Sequence, residues 1–95
     1  MNFVQLDASH WKTGLDFYEA LLAALGAPSW HGRNINALID SMIYDGINTI
    51  GPPLTIRITG TAHLPDEARN ELIFTILALG SAQGTDKDVE FQGTV

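Results

Sequence analysis

Leu54-Thr55-Ile56-Arg57-Ile58-Thr59 alternates strictly between apolar and polar side chains. An extended chain therefore places Leu54, Ile56 and Ile58 on one side and the polar residues on the other, and the spacing predicts a strand in a sheet that buries mainly one face. What flanks this strand decides the fold. Upstream, the stretch from Gly46 to Pro53 closes a helical segment. Downstream, Pro65 opens a long helix, since proline suits the first helical position, and Asp66 and Glu67 complement its positive end.

The flanking segments read as follows. Asn2 to Leu6 is a short β-prone run in which Phe3, Val4 and Leu6 supply apolar surface. Thr13 can cap a helix, Asp16 stands where it can return the cap, and Tyr18, Leu21, Leu22 and Leu25 follow at helical spacing until Gly26 and Pro28 stop it. Asn34 can cap a second helix, in which Ile35, Leu38 and Met42 recur along one face. In the third helix Ala68, Leu72, Ile76 and Leu79 form the inward stripe, Ile73 and Leu77 broaden it, and Gly80 or Gly84 ends it. Val89 and Phe91, alternating with Asp88, Glu90 and Gln92, give a last strand. The order is β-α-α-β-α-β. Helices between successive strands favour an α/β fold with a parallel three-stranded sheet and right-handed crossovers.

Length and composition set the frame. Ninety-five residues suffice for one domain, spanning 1–95, with one modest core that buries about 60–70% of the unfolded surface. With no cysteine, neither disulfides nor thiolate zinc sites are expected, and a reducing, cytoplasmic setting is the natural one. Met1 to Asp7 does not read as a secretory signal, and no apolar run reaches the ~18 residues of a membrane span. Eleven acidic against five basic residues give a formal charge of −6. That balance disfavours direct nucleic-acid binding, which draws on Lys and Arg at phosphates, and suits a basic protein partner.

One stretch stands apart from this scaffold. Pro28-Ser29-Trp30-His31-Gly32-Arg33-Asn34-Ile35-Asn36-Ala37-Leu38-Ile39-Asp40 is an aromatic loop that turns through a glycine into an asparagine-started helix bearing a carboxylate on its polar side. It sets large apolar groups beside one charge, without a paired acid, base or nucleophile. A recognition surface follows from that composition more readily than an active site.

The same stretch resembles the barstar family of small intracellular ribonuclease inhibitors. The pattern aromatic-X-Gly-X-Asn-X-X-Ala-Leu-X-Asp is met by Trp30, Gly32, Asn34, Ala37, Leu38 and Asp40, and the order of elements agrees over most of the chain. The resemblance implies a barstar-like parallel three-stranded sheet with helices. It also implies inhibition by plugging: the loop 28–33 and helix 34–45 would enter the basic active site of a nuclease, with Asp40 standing in for a substrate phosphate. Departures from the family pattern are informative. Asn36 stands where familiar members carry a second acid, Arg33 replaces an acid in the turn, and Ile39 replaces a large aromatic. The later helix offers Leu79 or its neighbours where a further interface acid is expected. The inhibitory face is thus less acidic and more apolar than that of the type member, and a partner other than the type member's ribonuclease is expected.

Helical geometry divides the second helix. At about 100° per residue Asn36, Asp40 and Ile43 form one ridge beside Ile39, while Ile35, Leu38 and Met42 point inward. Ile39 and Ile43 lie on the boundary, as the edge of a wide core stripe or as partner contacts. Trp30 reads equally as a lid over the core or as an exposed anchor. Asp40 has a bland alternative as a solvated mid-helix acid. Asn34 reads as a structural cap and Gly32 as a residue supplying a backbone conformation that others resist; with Ala37 and Leu38 they form the structural frame. Trp30, His31, Arg33, Asn36, Ile39, Asp40 and Ile43 are the candidate partner-binding residues.

Catalysis finds little support. His10, His31 and His63 lack metal-ligand spacing, so no metal and no cofactor is expected. Ser9-His10 or Ser29 to His31 with Asp40 could be assembled as a triad, but neither a nucleophile elbow nor an oxyanion turn accompanies them. Gly51-Pro52-Pro53 and Gly80 to Gly84 lack the Gly-Lys-Ser/Thr ending of a phosphate loop. Two expectations follow. The first is an inhibitor or immunity protein, of the bacterial toxin–antitoxin kind, binding a basic nuclease or toxin one to one. The second is a barstar-like scaffold serving as a non-inhibitory interaction or regulatory module.

Overall fold

The structure, a computed structural model, describes residues 2–80 and 86–93. Its elements are β1 (Asn2–Asp7), α1 (Gly14–Leu25), α2 (Ile35–Ile39) with a π-helical continuation (Asp40–Asp45), β2 (Leu54–Thr59), α3 (Asp66–Leu79) and β3 (Val89–Gln92). The three strands form one parallel sheet in the order β1-β2-β3. Its register pairs Val4 with Ile56 and Ile56 with Phe91. The α/β reading from the sequence agrees with this architecture.

Val4 and Leu6 from β1, Leu54, Ile56 and Ile58 from β2 and Val89 from β3 turn to the helical side and are buried with Phe17, Leu21 and Leu25 of α1 and Leu72 of α3. Trp11, just ahead of α1, tilts against Phe17 at 5.5 Å between ring centroids and completes the aromatic end of this core. Phe3 lies on the opposite face of β1 and is exposed. In the central strand Thr55 is buried although it belongs to the polar side of the alternation, whereas Arg57 on the same side is exposed.

Local chemistry fixes the helix ends. Thr13 Oγ1 accepts the Asp16 N–H, and Asp16 Oδ2 accepts the N–H groups of Lys12 and Thr13, forming the reciprocal box expected there. Those two backbone donors, Lys12 first, hold the Asp16 carboxyl below the usual aspartate range. At the other end Gly26 is left-handed (φ 65°), and an added Cβ would meet Thr49 Cβ at 2.7 Å. That closeness is functional in the fold: Thr49 Oγ1 donates to Gly26 O and the Ile50 N–H to Leu25 O, so the loop after α2 satisfies the last carbonyl of α1 and that of its cap residue.

The third helix departs from expectation in detail. Pro65 is extended and caps the helix from outside, one position before its first turn. The inward line is Ala68, Leu72, Thr75 and Leu79, with Ile76 only half-buried and Leu77 70% exposed. Thr75 can be fully buried because its hydroxyl donates to Glu71 O, 2.8 Å away. Leu77 follows two residues later, about 200° round the helix, and so faces out. Gly80 closes the helix in right-handed geometry, and Gly84 lies outside the described residues.

Candidate binding surface

The loop ahead of α2 is built by short-range hydrogen bonds. The His31 N–H donates to Pro28 O at 3.0 Å, turning the chain at Trp30. Asn34 Oδ1 accepts the Ala37 N–H at 2.8 Å, and Asn34 O accepts the Leu38 N–H at 3.1 Å, which starts the helix at once. Gly32 contributes space rather than an unusual backbone angle: the left-handed glycines among the described residues are Gly26, Gly46, Gly60 and Gly93. A Cβ at Gly32 would stand 3.0 Å from Ala37 Cβ and 3.2 Å from Asn34 Nδ2. The expectation of a special conformation at Gly32 is corrected accordingly. Loop and helix touch there because residues 32 and 37 are both small.

After Ile39 the helix widens. The Gly46 N–H reaches back five residues to Ser41 O, the π-type repeat. In an α-helix residues 40 and 43 lie about 60° apart, and a wider turn moves them further apart. Ile43 accordingly is half-buried against the core, as is Ile39. Tyr44 takes the outer position and is 73% exposed.

Five of the seven candidate residues line two clefts, and Ile39 and Ile43 line neither. Trp30, His31, Gly32, Ala37 and Asp40 line one cleft of ≈170 Å³, closed by Ser41 and Ile47. Arg33 and Asn36 line a second cleft of ≈360 Å³ that reaches Phe74 on α3. Trp30 is 73% exposed, so of its two readings it is the outward one that the structure takes. Asp40 is exposed; its backbone N–H donates to Ala37 O and Asn36 O, while its carboxylate makes no hydrogen bond or ion pair with the described residues. Arg33 lies 3.6 Å from Glu19 of α1, both about half exposed. An ion pair so open adds little to stability, but it places an acid beside the one base of the loop. His31, in contrast, is 5% exposed with both ring nitrogens engaged inside the chain. Leu38 is core.

Ile47 and Phe74 line these clefts and, with Tyr44, are exposed large apolar side chains; none was a candidate from the sequence. Tyr44, four residues after Asp40, had a positional signal; Phe74 and Ile47 had none beyond being apolar. Among the described residues no three His, Asp or Glu side chains converge as metal ligands would. No described helix is long and apolar enough to cross a membrane.

Comparison with known proteins bears on what such a surface serves. The whole chain, residues 1–95, matches the model of the family described as Barstar (barnase inhibitor). The chain belongs to the barstar family. Barstar-family proteins are inhibitors that bind a ribonuclease, not enzymes. No curated protein matches the chain in sequence. The loop and α2 with its π-helical extension present Trp30, Asp40 and Tyr44 outward.

Proposed function

We propose that this chain inhibits a basic nuclease, most simply a ribonuclease, by inserting Trp30 and the outer face of residues 34–45 into the partner's active site, one to one. The observation that carries this reading is Asp40: an exposed carboxylate with no internal partner among the described residues, set beside the 73% exposed indole of Trp30. Such a carboxylate is free to accept charge-assisted hydrogen bonds from arginine or lysine, in the place a phosphate would take. Tryptophan beside it supplies apolar area that excludes water from the pair. Asn36 and Arg33 face the neighbouring cleft and would read the rim of the partner. Tyr44 and Ile47 extend the apolar part of the surface.

The binding reading predicts a steep response at one residue. The nuclease is captured from a lysate of the source cell on the immobilised chain, and its activity is titrated with the chain and with Asp40→Ala. The parent chain should abolish activity at saturation, and Asp40→Ala should weaken inhibition by about a hundredfold to a few thousandfold, since stripping one member from a desolvated ion pair costs about 3–5 kcal/mol. Full activity at saturating complex would overturn inhibition. Equal potency of Asp40→Ala would overturn the role of that carboxylate.

A further inference from the structure

We propose that His31 is the positioning residue of the binding loop: its ring, locked between Gly32 O and Ser41 Oγ, fixes residues 28–33 on the helix and sets Trp30 and Asp40 in place. The proposal deepens the inhibitor reading and rests on it for the word binding; the clamp itself is a property of the free chain.

His31 is buried between two exposed neighbours, Trp30 and Gly32. Its Nδ1 lies 2.7 Å from Gly32 O and its Nε2 lies 2.7 Å from Ser41 Oγ. A carbonyl oxygen can only accept, so the Nδ1 must carry the proton. In the neutral ring Nε2 is then an acceptor, and the Ser41 hydroxyl must donate to it. Ser41 is itself 2% exposed; its oxygen accepts from Asn48 Nδ2 at 3.1 Å, and its one hydroxyl proton, which could also be donated to Leu38 O 3.2 Å away, goes to the nearer Nε2. The ring thus links three segments: the loop, the π-helical segment and the chain that follows Gly46. Trp30 immediately precedes the clamped histidine and Asp40 immediately precedes the clamped serine. Neither exposed side chain makes a hydrogen bond or ion pair with the described residues, so their separation is set by their buried neighbours. Burial makes the bonds consequential, because a buried acceptor left unpaired carries its full desolvation penalty.

The test uses the free chain, so its outcome is independent of whether any nuclease is inhibited. Long-range proton–nitrogen correlation spectra of the unmodified chain, with the rings neutral, report which ring nitrogen of His31 bears hydrogen. The expected form is Nδ1–H; an Nε2–H form would overturn the proposal. In Ser41→Ala, hydrogen exchange of the His31 amide, which is held by Pro28 O, should accelerate by about tenfold beyond any change at Leu21 and Ile56, matching the loss of one buried hydrogen bond. The Trp30 indole N–H should gain fast motion in the same variant. Acceleration at His31 no greater than at Leu21 and Ile56 would show only a general loss of stability and would overturn the positioning role.

Discussion

Tyr18 shows how one side chain joins two helices. It is buried at 5% exposure on α1, packs at 5.1 Å from Phe17, and its hydroxyl donates to Glu71 Oε2 of α3 at 2.7 Å. Burial, and then the neighbouring carboxylate, pushes the phenol up to about 12 from an ordinary 10. The folded chain therefore holds this proton more tightly than the unfolded chain does. The resulting stabilisation is complete below pH 10 and is lost as pH rises from 10 toward about 12. The chain has two tyrosines, so in Tyr44→Phe the tyrosinate absorbance should rise in a single step near 12 while the fold persists. A step near 10 in the folded chain would mean that the phenol is neither buried nor held by Glu71.

At the scale of elements, α2 is short and depends on its first turn. Five α-helical residues cannot sustain themselves, since helix nucleation is unfavourable. The cap by Asn34 and the burial of Leu38 and Met42 are what hold the segment. Replacing Asn34 with Ala should lower the unfolding free energy by about 1 kcal/mol, and Asn34→Asp should be close to neutral, as measured by urea denaturation. Equal losses in the two variants would show that the side-chain oxygen is not the stabilising group. The caps at Thr13 and Asn34, the stop at Gly26 and the strand at 54–59 were legible in the sequence because each rests on residues within a few positions of one another. The less legible features depend on distant partners. The widening after Ile39 has no local signature, so the 3.6-residue period set Ile43 rather than Tyr44 on the outer ridge. Thr75 looks polar until its bond to Glu71 O is seen, and Gly32 looks like a turn residue until Ala37 is placed against it. In the site, the loop and Asp40 were readable from spacing, but the inward ring of His31 was not, since its partner Ser41 lies ten residues on.

For the whole molecule the deciding quantity is charge. A formal −6 on 95 residues gives a field that would attract a basic partner before any contact forms, and in the proposed complex the unpaired Asp40 carboxylate adds one acid at the point of docking. Long-range attraction acts on the encounter and is screened beyond about 8–10 Å at moderate salt, whereas in the proposed complex the desolvated contacts of Trp30 and Asp40 would govern escape. The two rates should thus respond differently to salt. With the captured nuclease, stopped-flow association should slow by about tenfold or more between about 0.02 M and about 0.5 M salt, while dissociation changes little; the complex for which the barstar family is named is itself the standard case of such steering. A non-inhibitory module docking through its apolar surface alone makes the opposite forecast, since burial of Trp30, Tyr44 and Ile47 is indifferent to ionic strength at the encounter step. A salt-independent association rate would therefore favour that reading over active-site plugging, whatever the affinity. A salt-dependent rate that Asp40→Ala leaves unchanged would locate the steering field in the remaining acids and confine Asp40 to the bound state.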